Sequence, residues 1–230
     1  ILKLNRPEKF NSFNRKMAFE LQDCLSQAAS DNQIRAILLT GNGKAFCAGQ
    51  DLSEAVGDDS PGIETIVREH YNPIIMKIRN LAKPVVCAVN GVAAGAGANI
   101  ALACDIVIAA NSASFIQAFS KIGLIPDSGG TFFLPRLIGF QKASALMMLG
   151  DKVSAAQAEQ MGMIYKSVAD DQLFQESLTM AQTLSTMPTK ALGLTKKLLN
   201  DSMQTNLESQ LKNELQEQVN AAQSSDYQEG

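Results

Sequence analysis

The sequence contains no tryptophan and a single histidine, His70, among its 230 residues. With one imidazole, a histidine-based metal site and Ser-His hydrolysis are largely excluded. Because His70 lies in a polar stretch, we expect it at the surface. The cysteines show no CxxC spacing, and three of the four lie in apolar segments (Cys24, Cys47, Cys87 and Cys104). The sequence therefore predicts no metal centre and reduced thiols, which favours a cytoplasmic protein.

Basic charge is also scarce. The net charge is −3 and no extended run of Lys or Arg is present, which disfavours nucleic acid as a partner. The long apolar run at 84–110 contains Pro84, Asn90 and Asp105, and its period changes partway. We interpret it as strand, turn, helix and strand, not as a membrane span. With 46% apolar and 19% charged residues, the chain is typical of a globular protein with a substantial core.

Helical and strand-like patterns alternate through the first part of the chain. Residues 13–30 have helical spacing of apolar residues and precede "IRAILLT", which is strand-like. The glycine-rich "GNGKAFCAGQDL" predicts a loop, and the polar stretch from Ser53 to Gly62 a mobile segment. Further on, "ASFI" predicts another strand and "FLPRLIG" the end of a helix. These patterns predict an α/β core over 1–139.

From Phe140 onward the pattern is helical, interrupted only by "MIYKSV" as a short strand. This predicts a helical C-terminal region over 140–230, and long amphipathic terminal helices often pack on another subunit. The chain opens in a strand-like segment and ends in polar "SSDYQEG". We therefore expect that residues are missing at both ends.

Two glycine turns could bind an anion through backbone N–H groups. In "NGVAAGAGANIALACD", Gly95, Ala96 and Gly97 lie between a predicted strand and helix. The turn is not a dinucleotide fingerprint, because the third glycine of G-x-G-x-x-G would fall at Ile100. A structural turn and an oxyanion-binding turn both fit, and "FCAGQDL" alone is equally ambiguous.

Asp127 is the one carboxylate in "GLIPDSGGTFFLPR". Pro126 biases Ile125 toward an extended conformation, so Asp127 could cap a helix that starts at Ser128. A helix N-terminus would favour its ionised form, which is also what a base requires. The spacing alone is compatible with Asp127 as a helix cap and with Asp127 as a catalytic acid.

Four motifs taken together resemble the crotonase superfamily, the enoyl-CoA hydratase/isomerase fold, over nearly the whole chain. They are "LNRPEKFNSFN", "KAFCAGQDL", "KPVVCAVNGVAAGAGANIALACDIVIAA" and "GLIPDSGGTFFLPR". The resemblance implies an α/β spiral of ββα repeats, a helical C-terminal trimerisation region and a bent acyl-CoA thioester. It also implies an oxyanion hole made by the N–H groups of Gln50 and Ala96, since an enolate formed beside a thioester carries charge on its oxygen.

The resemblance also implies which residues surround the substrate. The expected substrate-binding positions are Lys9, Ala48, Asp51, Leu52, Gly95, Asn99, Phe119 and Phe132. We expect the Gln50 side chain to be an exposed loop glutamine, and Asp51 to be a loop-fixing or helix-capping acid more than a catalyst. Lys9, Lys44 and Arg6 lie in segments that approach the CoA nucleotide in the family.

Departures from the family pattern favour isomerisation. Where family hydratases carry two glutamates, this sequence has Asn99 and Phe119, neither of which can be an acid or base. Asp127 lies where those hydratases usually have glycine, and the segment is similar to that of isomerases acting on ring-1,2-epoxyphenylacetyl-CoA. Asp127 would then shuttle a proton in epoxide isomerisation, in 3-enoyl to 2-enoyl migration, or in both.

Several alternatives remain open at this point. A hydratase-like enzyme, an aryl-CoA dehalogenase-like hydrolase and a non-catalytic CoA-binding member all share the fold. The implied protein needs no cofactor beyond the CoA of its own substrate, no metal and no membrane. It is expected to form a homotrimer or a dimer of trimers, in phenylacetate or fatty acid metabolism.

Overall fold

The computed structural model describes residues 1–56 and 60–229. The strands are β1 Leu2–Leu4, β2 Ile37–Gly41, β3 Ala45–Cys47, β4 Val85–Val89, β5 Val92–Ala94, β6 Ile106–Ala110, β7 Ser114–Ile116, β8 Lys152–Ser154 and β9 Lys166–Val168. The α-helices are α1 Arg15–Ser30, α2 Leu52–Ala55, α3 Gly62–Thr65, α4 Asn72–Asn80, α5 Ala96–Leu102, α6 Gly130–Ile138, α7 Phe140–Leu149, α8 Ala155–Gln160, α9 Leu173–Thr186, α10 Thr189–Ser202, α11 Leu207–Ala222 and α12 Ser225–Glu229. A π-helical turn, Ile66–Tyr71, joins α3 to α4, and 3₁₀ turns cover Pro7–Lys9 and Ala118–Ile122.

The strands form two sheets. A five-stranded parallel sheet has the order β1-β2-β4-β6-β9. A four-stranded sheet has the order β3-β5-β7-β8, in which β8 alone runs antiparallel to its neighbour. Strand β4 is buried along its whole length, as the continuous apolar run "VVCAV" requires in a sheet covered on both faces.

The chain passes from the larger sheet to the smaller one three times in succession. β2 leads into β3, β4 into β5, and β6 into β7, and each pair is followed by helical structure. These repeats stack because each new strand pairs in parallel with the corresponding strand of the previous repeat. The architecture is the ββα spiral that the sequence motifs implied.

Short strands were the elements that sequence patterns missed. Strand β3 lies inside the segment expected to be a glycine-rich loop, and β8 lies inside the region expected to be helical except for "MIYKSV". Each is three residues long and stands in a stretch where glycines or a helical pattern dominate, so its pairing partner decides it. Strand β8 belongs to the smaller sheet and β9 to the larger one, so both sheets extend beyond residue 139. The division of the chain into a core over 1–139 and a helical region over 140–230 stays a prediction.

The polar stretch from Ser53 to Gly62 was expected to be mobile. Helix α2 takes up its beginning and α3 starts at its end, while residues 57–59 lie outside the described part of the chain.

Charged contacts attach the C-terminal helices to the spiral. Asp105, which precedes β6, accepts hydrogen bonds from Arg79 of α4 at 3.0 Å and from Lys196 of α10 at 2.7 Å. Asn200 of α10 also bonds the Arg79 guanidinium. Lys196 is buried, and a buried cation needs such a partner.

Candidate active site

The candidate site lies at one edge of the smaller sheet, where three parallel strands end. β3, β5 and β7 are neighbours, so the turns that follow them lie side by side. Gly49 after β3 has a φ of 93° and Gly95 after β5 a φ of 53°, a region that residues with a side chain rarely adopt. A Cβ on Gly49 would lie 3.0 Å from the Ala94 carbonyl oxygen and 3.8 Å from the Ala96 nitrogen. The glycines therefore let the two turns approach closely.

Gln50 and Ala96 follow these glycines, and both line the same cavity. Ala96 is the first residue of α5, so its N–H has no acceptor within the helix. Within the described residues, neither the Gln50 N–H nor the Ala96 N–H makes a backbone hydrogen bond. Two adjacent unpaired donors beside a cavity are what an oxyanion hole requires.

The Gln50 side chain is more ordered than expected. It was expected to be an exposed loop side chain, but its Oε1 accepts a hydrogen bond of 2.7 Å from the Tyr71 hydroxyl. Its Nε2 donates to Glu54 of α2 at 3.2 Å. Tyr71 is fully buried in the π-helical turn, so this contact ties the loop that carries Gln50 to the cavity wall.

The cavity has a volume of about 430 Å³ and a mainly apolar lining. The expected residues that line it are Lys9, Ala48, Gln50, Leu52, Gly95, Ala96, Phe119 and Asp127. Side chains that were not singled out complete the wall: Ser12, Ala55, Ile63, Ile66, Tyr71, Ala118, Ile122 and Leu124. Among the described lining residues, Asp127 is the only carboxylate.

Asp127 does not cap a helix. Helix α6 begins at Gly130 and not at Ser128, its N-cap is Gly129, and no side chain caps it. The two residues after Asp127 both have positive φ, 51° at Ser128 and 74° at Gly129, and this turn moves the helix start away from the carboxylate. The Asp127 carboxylate accepts a hydrogen bond of 2.8 Å from the Ser128 hydroxyl.

The environment of Asp127 disfavours its ionised form, contrary to the expectation of a helix N-terminus. Burial raises the pKa of Asp127 above its ordinary value, and the hydrogen bond from Ser128 opposes that shift without cancelling it. A carboxylate in such a place is a stronger base than one in water.

Asp51 has the structural role expected of it. It caps α2 by accepting a hydrogen bond of 3.0 Å from the Ser53 N–H, and it pairs with Arg6 at 2.8 Å. Hydrogen bonds from Ser53 and Arg6 lower the pKa of Asp51 to about 2. Arg6 also donates to the Ser12 carbonyl oxygen, so its guanidinium is occupied by the protein. Lys9 and Lys44 are exposed, and their contact with a CoA nucleotide stays a prediction.

Three expected substrate-binding residues lie outside the cavity lining as the described residues define it: Asp51, Asn99 and Phe132. The Phe132 ring stacks under the Arg136 guanidinium at 3.8 Å and packs edge-to-face on Phe133. Asn99 is fully buried and uses its amide on protein partners. Phe119 does face the cavity, with its ring 3.7 Å from the point where Gly95 would carry a Cβ.

His70 is buried, which corrects the expectation of a surface residue. It has no exposed area, and its ring packs edge-to-face on Phe19 with 5.7 Å between ring centres. Among the described residues neither ring nitrogen has a hydrogen-bond partner, and burial lowers the pKa of His70. The π-helical turn places His70 under α1, and no local sequence pattern signals such a turn.

The described residues contain neither a metal-binding cluster nor a membrane-spanning helix. No three His, Cys, Asp or Glu side chains lie together in a way that could hold a metal ion. None of the helices described combines the length and apolarity needed to cross a bilayer.

Comparison with known proteins agrees with this architecture and these motifs. The family described as enoyl-CoA hydratase/isomerase matches residues 1–230. The 1,2-epoxyphenylacetyl-CoA isomerase of Escherichia coli K12 is 49% identical over 232 residues, covering 100% of this chain and 88% of the relative. The trans-2-decenoyl-[acyl-carrier-protein] isomerase of Streptococcus mutans is 40% identical over 175 residues, covering 75% of this chain and 66% of the relative.

A solved structure extends the agreement to three dimensions. The crystal structure of an enoyl-CoA hydratase from Bacillus anthracis superimposes with a TM-score of 0.91 at 34% identity, covering 99% of this chain and 88% of that chain. Two of the sequence relatives carry isomerase names, which supports an isomerase of the crotonase superfamily. The chain therefore belongs to the enoyl-CoA hydratase/isomerase family.

Proposed function

We propose that this protein is an acyl-CoA isomerase in which Asp127 moves one proton while the N–H groups of Gln50 and Ala96 hold the thioester oxygen. The proposed substrates are ring-1,2-epoxyphenylacetyl-CoA, 3-enoyl-CoA thioesters, or both. No metal and no nicotinamide takes part. The CoA belongs to the substrate.

One observation carries the proposal. Asp127 is the single carboxylate among the described residues that line the cavity, and the same cavity is lined by both unpaired N–H donors. A carboxylate in the same cavity as an oxyanion hole can remove the proton next to a thioester carbonyl. No second acid or base is required when the same group returns the proton.

The double-bond reaction balances without a co-reactant. Asp127 takes a proton from the carbon between the thioester and the double bond, and the electron pair moves onto the thioester oxygen. The two N–H groups stabilise the resulting dienolate, each by up to ~3 kcal/mol in favourable geometry. The pair then returns along the chain, and the protonated Asp127 delivers the proton two carbons further on. Substrate and product have the same composition.

Hydration is the less favoured alternative. It needs groups that activate a water molecule, and the positions that match the hydratase glutamates hold Asn99 and Phe119. Neither side chain ionises as an acid, Asn99 is sequestered by Gln117 and Asp127, and Phe119 presents a ring to the cavity. The apolar wall suits an aryl or alkyl acyl group, and the relative from Escherichia coli is named for an epoxyphenylacetyl-CoA.

The test is direct conversion of a 3-enoyl-CoA, followed by the absorbance of the conjugated thioester that forms. The proposal expects turnover by the wild type, loss in Asp127→Asn, and unchanged turnover in Asp23→Asn, an exposed acid on α1. Supplying 2-enoyl-CoA separates the alternatives, because a hydratase would consume the conjugated thioester. Tight binding without any conversion of either an epoxide or an enoyl substrate would support a non-catalytic member instead.

We also propose that the protein assembles as a trimer or a dimer of trimers. Helix α11 exposes an apolar stripe, with Leu207, Leu211, Leu215 and Val219 each at least half exposed. Residues four apart share one helix face, and such a face is usually covered in an assembly.

A further inference from the structure

We propose that Asn99 and Gln117 are positioning residues, which hold the turn that carries Asp127 through a chain of two hydrogen bonds. The inference rests on the proposed function in one respect only, that Asp127 acts on the substrate. Neither residue lines the cavity among those described, so both would act through Asp127 and not on the substrate itself.

The chain of bonds starts at the end of β7. Gln117 follows that strand, and its Nε2 donates to Asn99 Oδ1 at 2.7 Å. Asn99 lies on α5, and its Nδ2 donates to the Asp127 carbonyl oxygen at 2.8 Å. Asn99 and Gln117 are 1% and 5% exposed, so water does not compete for these groups.

The orientation of both amides follows from the acceptor at one end. The Asp127 carbonyl oxygen can only accept, so the Asn99 NH₂ group must face it. Asn99 Oδ1 then faces Gln117, which must turn its own NH₂ group toward it. Gln117 Oε1 is left buried and, among the described residues, without a partner. Turning the Gln117 amide over would place its Oε1 against Asn99 Oδ1, two acceptors in contact, so the unpaired Oε1 does not reverse this assignment.

The turn that Asn99 holds is strained and crowded. Ser128, which is not a glycine, has a φ of 51°, and such a residue needs surroundings that fix it. The Asp127 carbonyl oxygen also accepts the Gly130 N–H at 2.9 Å, so it receives two donors. A Cβ at Gly130 would collide with the Asn99 amide, which shows how closely the amide packs on the turn.

Residues at the end of β7 bond both the turn of the oxyanion hole and, through Asn99, the turn of Asp127. The Ile116 carbonyl oxygen accepts the N–H of Gly95 at 2.9 Å, directly before the Ala96 donor. The next residue, Gln117, holds Asp127 through Asn99. One strand end thus fixes the proton acceptor relative to the oxyanion hole, and proton transfer is sensitive to displacements of about 1 Å.

The experiment compares Asn99→Ala with Asn90→Ala. Asn90 is a matched control, since its side chain also bonds backbone groups, those of Gly41, Gly43 and Ala45, and it bonds neither Asp127 nor Asn99. Asn99→Ala is expected to lower kcat about tenfold or more, with KM changed less than about twofold, because only the position of the acid changes. Asn90→Ala should keep both constants.

A second readout needs no substrate. With ¹³C-labelled aspartate, the Asp127 carboxyl signal is identified by its loss in Asp127→Asn, and its titration midpoint is measured. Asn99→Ala should move the midpoint downward, because a relaxed turn lets water reach the carboxylate. Gln117→Met, which keeps the length of the side chain and removes the donor to Asn99 without adding a charge, should shift kcat and the midpoint in the same directions. It provides the test if Asn99→Ala does not fold.

The measurements distinguish a failure of the positioning role from a failure of the proposed function. If the wild type isomerises substrate while Asn99→Ala and Gln117→Met match Asn90→Ala in kcat and in midpoint, the positioning role is wrong and the proposed function stands. If the wild type has no isomerase activity but the midpoint shifts as described, the positioning of Asp127 stands and the proposed function is wrong.

Discussion

At the scale of single residues, Asp127 combines two properties that a base needs. It faces an apolar cavity, and burial raises its pKa. A raised carboxyl pKa means that the protonated form persists to higher pH, so the ionised base is lost as pH falls through that raised value.

The pH dependence of turnover follows from this sign. We expect kcat/KM to fall about tenfold per unit as pH decreases below an apparent pKa above the ordinary aspartate range. Ser128→Ala should move that pKa further upward, since the Ser128 hydroxyl is the group that lowers it. Steady-state rates in overlapping buffers test both. An unchanged pKa in Ser128→Ala would contradict the assignment to Asp127.

The pKa of Asp51 is lowered, whereas that of Asp127 is raised, and ionisation of Asp51 affects the stability of the fold. Its pKa is lowered to about 2, so its contribution is present above the unfolded value near 4 and is lost as pH falls through about 2. Asp51→Asn should lower the free energy of unfolding by about 2 kcal/mol at pH 7, and this difference should vanish near pH 2. Urea unfolding at both pH values measures it, with Asp23→Asn as control. A difference that persists at pH 2 would rule out the ionised carboxylate, with its hydrogen bonds from Ser53 and Arg6, as its cause.

Sequence reasoning found residues whose chemistry is visible in a motif and missed those whose role is spatial. Gln50, Ala96 and Asp127 stand in glycine turns, and the structure brings them to one cavity. Tyr71 and Gln117 carry no local signal, because their partners Gln50 and Asn99 are 21 and 18 residues away. His70 was misplaced for the same reason.

At the scale of elements, α5 lies very close to β3. A Cβ at Gly97 would lie 2.5 Å from the Cys47 carbonyl oxygen and 2.7 Å from its sulfur. Since Cys47 ends β3 just before Gly49, any outward shift of α5 separates Ala96 from Gln50.

Gly97→Ala should therefore reduce both stability and turnover, although alanine favours helix by about 1 kcal/mol. Gly193→Ala on α10 is the matched control. A Cβ there would lie similarly close to a backbone oxygen, 2.6 Å from that of Ala82, but Gly193 is far in sequence from both donors. It should lower Tm while the folded fraction keeps its kcat. Equal kcat in Gly97→Ala and the wild type would show that the spacing of the two turns is not critical.

Helices and strands with a clear pattern of apolar residues could be predicted from the sequence. Strands defined only by their pairing partners could not. The helix at 13–30 and the strand at 34–40 appear as α1 and β2, and "ASFI" contains β7. The missed strands β3 and β8 are embedded in a glycine-rich stretch and in a helical pattern, and they depend on pairing with neighbours far along the chain. The start of α6 was misjudged because positive φ at Ser128 and Gly129 delays it.

At the scale of the whole molecule, assembly is the open prediction. Light scattering at micromolar concentration should give the mass of a trimer or hexamer, because the exposed stripe on α11 is too apolar to remain in water. Leu211→Glu with Leu215→Glu should lower that mass. A monomeric wild type would contradict the proposed assembly and leave the site unaffected.

The role of Asp127 as the base can be measured by hydrogen–deuterium exchange at the carbon next to the thioester of a substrate in D₂O. It reports proton abstraction itself, whether or not product accumulates. With wild-type protein we expect deuterium to enter that position. With Asp127→Asn we expect the exchange rate to fall by about a hundredfold or more, with the fold intact by circular dichroism, because no other carboxylate lines the described cavity. Exchange by Asp127→Asn at near the wild-type rate would show that Asp127 is not the base.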